Sequence, residues 1–288
     1  MSNFVTLVEV APRDGLQNEK HLLPTDTKVA LVDRLSAAGF RAIEVTSFVS
    51  AQAVPQMADA ADVMARIARR PGVVYSVLTP NFRGFEGALA ARADAICVFG
   101  SASETFSQRN INCSIAESLA RFRPVVAAAR AAGIAVRGTV SCALGCPYEG
   151  EIAPEAVARV AGELLALGVE ELSIADTIGV GTPEGTRRVM EAVLALADAS
   201  RVNGHFHDTY GRALVNIDAC LDLGIRSFDA SVAGIGGCPF APGATGNVAT
   251  ESVLALLADR GFETRIDSAA VEAIGTWLRG ELAGSQMD

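Results

Sequence analysis

A short β-rich apolar run, a loop and an Ala/Leu-rich helical stretch recur eight times along this chain, and no other feature constrains its fold so tightly. The β-rich runs lie at 4–11, 42–47, 73–79, 95–100, 135–142, 171–177, 202–208 and 227–233. Helical patterns fall near 26–38, 55–69, 81–92, 114–132, 154–167, 183–197, 211–223 and 247–260, and a last one near 267–283 follows. Pro55, Pro154 and Pro183 suit first helical turns, Ser114 with Glu117 has capping-box spacing, and Gly39, Gly133, Gly168, Gly224 and Gly261 suit helix ends. Eight strand–helix units in roughly 260 residues predict an α/β fold, a TIM (β/α)8 barrel with an extra C-terminal helix, as one catalytic domain over 1–288. The rival is a doubly wound open sheet, which places a glycine-rich phosphate loop after its first strand. Here that strand runs into APRDGLQNEK, with a single glycine.

Composition narrows the function. The chain has 288 residues, 24 Lys+Arg against 33 Asp+Glu and a formal net charge of −9, so a generalised nucleic-acid surface is not expected. Half the residues are apolar, which excludes a disordered chain. The apolar stretches fall short of a membrane span, and MSNFVTLVEVAPRDG lacks the shape of a signal peptide. The six cysteines, at 97, 113, 142, 146, 220 and 238, follow no disulfide framework, so free thiols in a reducing cytoplasm are expected. Cys142 and Cys146 have no second pair at zinc-ribbon distance.

Chemistry in a barrel of this kind sits at the C-terminal strand ends. His205 and His207, two of only three histidines, alternate onto one face of the seventh strand and suit either a shared metal ion or a pair of packed, hydrogen-bonded rings. Arg13 and Asp14 close the first strand, as a metal-ligating carboxylate beside a cation or as a loop ion pair. Glu44, inside the second strand, needs a partner, and Arg13 is placed to be one. Asp176 ends the sixth strand and suits a turn cap. Asn247 reads first as the N-cap of the eighth helix. Cys238 lies in the segment GIGGCPFAPGATGN (234–247), an expected active-site loop, where a thiol can be tuned for catalysis.

The segments VEVAPRDGLQNEK (8–20), IEVTSFVS (43–50), VPQMAD (54–59), NINCSI (110–115), VSCALGCPYEG (140–150), DTIGVGTP (176–183), HFHDTYG (205–211) and SVAGIGGCPFAPGATGN (231–247) closely resemble the hydroxymethylglutaryl-CoA lyase family. The resemblance implies a TIM barrel that cleaves 3-hydroxy-3-methylglutaryl-CoA to acetyl-CoA and acetoacetate with a divalent metal ion, in leucine breakdown. It implies Asp14, His205, His207 and Asn247 as metal ligands, Arg13 and Gln17 as substrate contacts, and Arg13, Asp14, Glu44, His205 and Cys238 as catalytic groups, with Glu44 supporting Arg13 and the metal site. Two N and two O donors without thiolate favour Mg2+ or Mn2+. The implied partners are a CoA thioester and further copies of the chain, with neither nucleic acid nor membrane.

The reaction needs the substrate hydroxyl to lose a proton, an enolate at the thioester to be stabilised, and C2 to gain a proton. The resemblance gives the second task to Arg13 and the third to Cys238; Asp14 and then a histidine are the choices for the first. Two His plus a carboxylate also serve Fe(II) oxygenases, but those use a jelly roll rather than alternating β/α units. A Claisen-type synthase or aldolase on the same barrel is the nearer alternative, and synthases usually add a large C-terminal domain. The family usually has Pro-Lys-Trp where this chain has Ala51, Gln52 and Ala53, which removes a cation and a large aromatic from the substrate face. A related ester, citramalyl-CoA or one with a longer 3-alkyl branch, is therefore an alternative substrate.

Overall fold

Each of the eight apolar runs forms a strand in the computed structural model, which describes residues 3–237 and 246–284. The strands are β1 (Thr6–Glu9), β2 (Ala42–Ser47), β3 (Val74–Leu78), β4 (Ala95–Ser101), β5 (Ala135–Ser141), β6 (Glu171–Asp176), β7 (Val202–Phe206) and β8 (Ser227–Ala230). All neighbours are parallel, and the sheet closes in sequence order. At the seam between β1 and β8, Thr6 lies opposite Ser227 and Glu9 opposite Ala230.

The helices are α1 (Thr25–Ala37), α2 (Ala60–Arg66), α3 (Phe82–Ala90), α4 (Glu104–Ile111), α5 (Ile115–Ala131), α6 (Pro154–Leu167), α7 (Pro183–Leu194), α8 (Ala213–Asp222), α9 (Thr250–Asp259) and α10 (Ser268–Gly284). Pro154 and Pro183 open their helices, and Ser114 and Glu117 form the full capping box of α5. None of these helices is long and apolar enough to cross a membrane.

Three sequence readings need correction. The helix expected over 55–69 is a 3-10 turn at Pro55–Met57 followed by α2, and Asp59 at the join accepts from Thr25 Oγ1 and Lys28 Nζ, both at 2.8 Å. Residues 104–111, outside the expected helical stretches, form α4, a mostly polar helix whose Phe106 packs on Cys142 and Cys146. The eighth helix starts at Thr250 rather than 247, because Asn247 bridges to His207 and Ala249 to Ser231 first.

Strand alternation sorts the barrel into two environments. Residues facing the helices are apolar, and Tyr75, Phe122, Phe206 and Phe228 are fully buried there; each such side chain contributes about 1.5–3 kcal/mol. The interior below the site is polar instead of the bulky aliphatic layers common in such barrels. Arg137 on β5 reaches Glu171 on β6 at 2.9 Å and Asp229 on β8 at 2.6 Å. Ser173 donates to Asp229, and the Asn203 side chain donates to Ser173 and accepts from Ser227. Buried charge is tolerated here because each carboxylate faces a fixed cation or a hydroxyl.

Candidate active site

The C-terminal strand ends form a cavity of about 430 Å³ whose lining includes Arg13, Asp14, Gln17, Glu44, His205 and His207. Six of the residues singled out from the sequence are thus brought together. Cys238 lies outside the described residues.

Arg13 and Asp14 reach the cavity because β1 does not pass straight into a loop. Residues Ala11–Gly15 make one turn of π-helix, in which the Gly15 N–H donates to the Val10 carbonyl at 3.1 Å. Such single turns present side chains that a regular helix would turn away, and they recur at functional sites. The turn is pinned from below by Glu9, whose carboxylate accepts from the N–H groups of Ala11 and Val232 and from the Thr250 hydroxyl. Burial pushes the Glu9 carboxyl up to about 8, since these donors offset only part of the desolvation.

The Arg13 guanidinium is clamped on two sides. Nε donates to Glu44 Oε2 at 2.8 Å, Nη2 lies 2.7 Å from the same oxygen, and Nη1 donates to Asp14 Oδ1 at 2.6 Å. Burial disfavours its charge, but Glu44 and Asp14 more than compensate, so it is held firmly protonated. Burial likewise opposes ionisation of Asp14, and the Arg13 charge with His205 and His207 outweighs it, holding the carboxyl well below the usual range.

His205 is fixed by Asp229, whose Oδ2 stands 3.0 Å from Nδ1. Burial lowers the imidazole pKa, the Asp229 hydrogen bond and charge raise it, and the net shift is upward. Burial raises the Asp229 carboxyl, but Arg137 leads the opposing charges and keeps it low. The carboxylate is therefore anchored at Arg137 and presents its other oxygen to the histidine. Asp229 and Arg137 escaped the sequence reading. The cost of a charge inside a strand, used there for Glu44, points to both of them.

Asp14, His205 and His207 form a candidate metal site in which one ligand atom from each lies within 4.8 Å of the others. His207 Nε2 stands 3.8 Å from Asp14 Oδ2, too long for a hydrogen bond and suitable for two ligands of one ion. His207 Nδ1 is buried without a hydrogen-bond partner. An ionised carboxylate beside two imidazoles fits a divalent cation. Asn247 is not a helix cap; its side-chain Nδ2 donates to Asp14 Oδ2 at 2.8 Å and to the Ile235 carbonyl at 3.2 Å, which puts the amide against the same carboxylate. Gly236 allows this approach. At φ +111°, a Cβ there would meet Asn247 Nδ2 at 2.6 Å and Gly15 Cα at 2.9 Å. Asn18 donates to the Gly237 carbonyl at 2.9 Å and ties the first loop to the glycine segment.

Asp176 takes the capping role, accepting from the N–H groups of Val180 and Gly181. A second cleft, of about 650 Å³, lies between the segments after β5 and β6 and includes none of the candidate site residues.

The chain matches the HMGL-like family over residues 4–277. It belongs to that family. A 3-hydroxy-3-isohexenylglutaryl-CoA/hydroxymethylglutaryl-CoA lyase of Pseudomonas aeruginosa is 57% identical over 271 residues, covering 94% of this chain and 90% of that protein. The HMG-CoA lyase structure from Brucella melitensis superposes with a TM-score of 0.95 at 54% identity, covering 96% of this chain and 98% of that one. An HMG-CoA lyase from Acinetobacter baumannii, solved with coenzyme A and 3-methylmalate, has a TM-score of 0.95 at 37% identity and covers 98% and 92% of the two chains. The HMGL-like assignment thus spans the whole barrel, including every candidate site residue.

Proposed function

We propose that this chain is a carbon–carbon lyase that breaks the C2–C3 bond of 3-hydroxy-3-methylglutaryl-CoA and releases acetyl-CoA and acetoacetate. The observation that carries the reading is the convergence of Asp14, His205 and His207 beside a clamped Arg13, in a chain of the HMGL-like family. Asp14, His205, His207 and Asn247 would hold a divalent ion, Mg2+ or Mn2+ by their hard N and O donors. When bound, such an ion supplies Lewis acidity that makes the substrate hydroxyl easier to deprotonate.

The chain's own groups do the rest. The hydroxyl proton goes to Asp14, whose carboxylate stands beside the two histidines, because His205 has one ring nitrogen on Asp229 and would use the other to hold the ion. As the C2–C3 bond breaks, its electron pair moves onto C2 and the thioester oxygen, and the hydroxyl carbon becomes the ketone of acetoacetate. Arg13 meets the growing enolate charge with a fork that Glu44 has already oriented, so little reorganisation is needed at the moment of reaction. Gln17 lines the same cavity and is assigned to substrate binding. The Cys238 thiol donates the proton that turns C2 into the methyl of acetyl-CoA.

The coenzyme A bound to the Acinetobacter relative supports a CoA-thioester substrate here. The five described cysteines are free, which suits a reducing compartment and a cytoplasmic enzyme. A homo-oligomer is the expected assembly. The test is direct: the chain is incubated with the ester and Mg2+ or Mn2+, and acetyl-CoA is measured. Release that requires the ion and is lost in Cys238→Ser supports the reading; no release with either ion refutes it.

A further inference from the structure

The segment VPQMAD (54–59) carries no step of the reaction, yet Gln56 and Met57 within it are buried. Gln56 is 2% exposed, and both ends of its amide leave their own segment. Its Oε1 accepts from the Leu23 N–H at 3.2 Å, and its Nε2 donates to the His21 carbonyl at 2.6 Å. His21 and Leu23 lie on the stretch 16–24 that follows the π-turn and carries Gln17 into the cavity. A side-chain amide combines an acceptor and donors on one planar group, so it can hold two backbone groups of a neighbouring loop at once.

Behind Gln56 stands a buried cation. Lys28 on α1 is 6% exposed, and its ammonium donates to the Gln56 backbone carbonyl and, at 2.8 Å, to Asp59 Oδ1. Asp59 Oδ2 accepts from Thr25 Oγ1, also on α1. On β2, Thr46 Oγ1 donates to Met57 Sδ at 3.5 Å. A charge this buried needs acceptors in fixed positions. The 3-10 turn at Pro55–Met57 is therefore fastened to α1, to β2 and to the first loop together.

This fastening sits where it can shape the site. Val49 and Val54 line the cavity from the loop after β2, and Gln17 lines it from the loop after β1. Gln56 is a hydrogen-bonded link between those two loops. The groups assigned to chemistry are fixed by other means: Arg13 by Glu44, the π-turn by Glu9 and His205 by Asp229. Leu16, fully buried, separates the π-turn from the part of the loop that Gln56 holds.

We infer that Gln56, braced by Lys28, is a positioning residue: it joins the loops after β1 and β2 into one substrate-facing wall and acts on the bound CoA thioester through Gln17 and Val54. The inference deepens the proposed lyase reading and rests on it for the ester used. Because the wall meets substrate and the chemical groups are held separately, loss of the link is felt in substrate affinity more than in turnover or ion binding.

The experiment compares wild type with Gln56→Met, which removes both amide hydrogen bonds at similar side-chain volume. It reads KM and kcat for 3-hydroxy-3-methylglutaryl-CoA with Mn2+, Mn2+ affinity, coenzyme A affinity, and hydrogen exchange over residues 17–23. In Gln56→Met, exchange over 17–23 is expected to speed up about tenfold and KM to rise about tenfold. Coenzyme A affinity should fall with KM, while kcat and Mn2+ affinity stay within about threefold of wild type. Gln56→Glu keeps the acceptor for Leu23 and loses the donor to His21, so its KM should fall between the two. If Gln56→Met does not fold, Gln56→Glu is read in its place, with a smaller change. A lower melting temperature with unchanged KM and kcat would make Gln56 a structural tie alone and overturn the inference. An equal loss of Mn2+ affinity would route the effect through the ion site and also overturn it. If wild type cleaves no ester, the lyase reading fails, and coenzyme A affinity still decides: equal affinity in the two proteins, or none in either, overturns the positioning role.

Discussion

Replacing Glu44 with alanine tests whether the charge-stabilising arm of the site is built the way the geometry indicates. Glu44 is 3% exposed, and one of its oxygens meets both Nε and Nη2 of Arg13, at 2.8 and 2.7 Å. A hydrogen bond to a charged group contributes about 1.5–3 kcal/mol, and two donors sharing one oxygen add less than twice that, so about 3 kcal/mol of orientation is removed. Asp14 still holds Nη1 and draws the freed guanidinium toward itself, away from the enolate position. At 1.36 kcal/mol per tenfold, kcat is expected to fall about a hundredfold, with KM changing less. Stability falls by about 2 kcal/mol, below the usual cost of breaking a buried pair because Asp14 still neutralises Arg13. Glu44→Gln keeps an acceptor in place and should recover part of kcat. The assay is acetyl-CoA release at saturating ester and metal, with thermal unfolding alongside. Wild-type kcat in Glu44→Ala would refute the clamp, and a rise in KM at constant kcat would mean that Arg13 only binds substrate.

Three further outcomes are expected. His207→Ala should lose most divalent-ion binding and nearly all activity while the barrel stays folded, as read by Mn2+ titration and circular dichroism; wild-type metal affinity would remove His207 from the ligand set. Asp229→Asn should weaken metal binding ten- to a hundredfold by releasing His205, and because Arg137 keeps only Glu171 it should also lower the denaturant midpoint; unchanged affinity would show that the carboxylate serves Arg137 alone. Glu9 gives a pH signature: its native carboxyl titrates near 8 against an ordinary 4.5, so between these values the native state holds a proton that the unfolded state has released, and this site's contribution to stability falls as pH rises through the window. Glu9→Gln should flatten that slope, and parallel midpoint-versus-pH curves for the two proteins would reject the assignment.

The barrel was legible in the sequence because eight apolar runs, punctuated by prolines and glycines at helix ends, leave few topologies open. Arg13, Asp14, Glu44, His205 and His207 were legible as polar residues at or near strand ends, where the architecture puts its mouth. The rest depends on tertiary contact. Helix α4 has too few apolar residues to show a period, and Phe106 packs against Cys142, Cys146 and Tyr148, all far along the chain. Asn247 looked like a cap because a short polar residue before an apolar helix usually is one; here the chain pairs with β7 before it turns helical. The π-turn at 11–15 left little local signal: Glu9 bonds the Ala11 N–H within it, but what fixes the Glu9 carboxylate there is bonding to residues more than two hundred positions away. Asp229 and Arg137 have meaning only as partners, and partners across a barrel are not neighbours in sequence.

The seam between β1 and β8 has a consequence for how the chain reaches its active state. Asp14 and Asn247 touch across 233 positions of sequence, and Glu9 ties the same two ends together from below. A nascent or nicked chain that has built seven strands still presents the histidines on one edge and the carboxylate on another, with no shared point between them. An ion that needs both edges cannot bind until the circle is complete, and once bound it resists reopening by favouring the closed form through mass action. Metal affinity then serves as a gauge of topological closure: a lesion anywhere that springs the seam would appear first as lost ion, before the helices or the apolar shell register any damage.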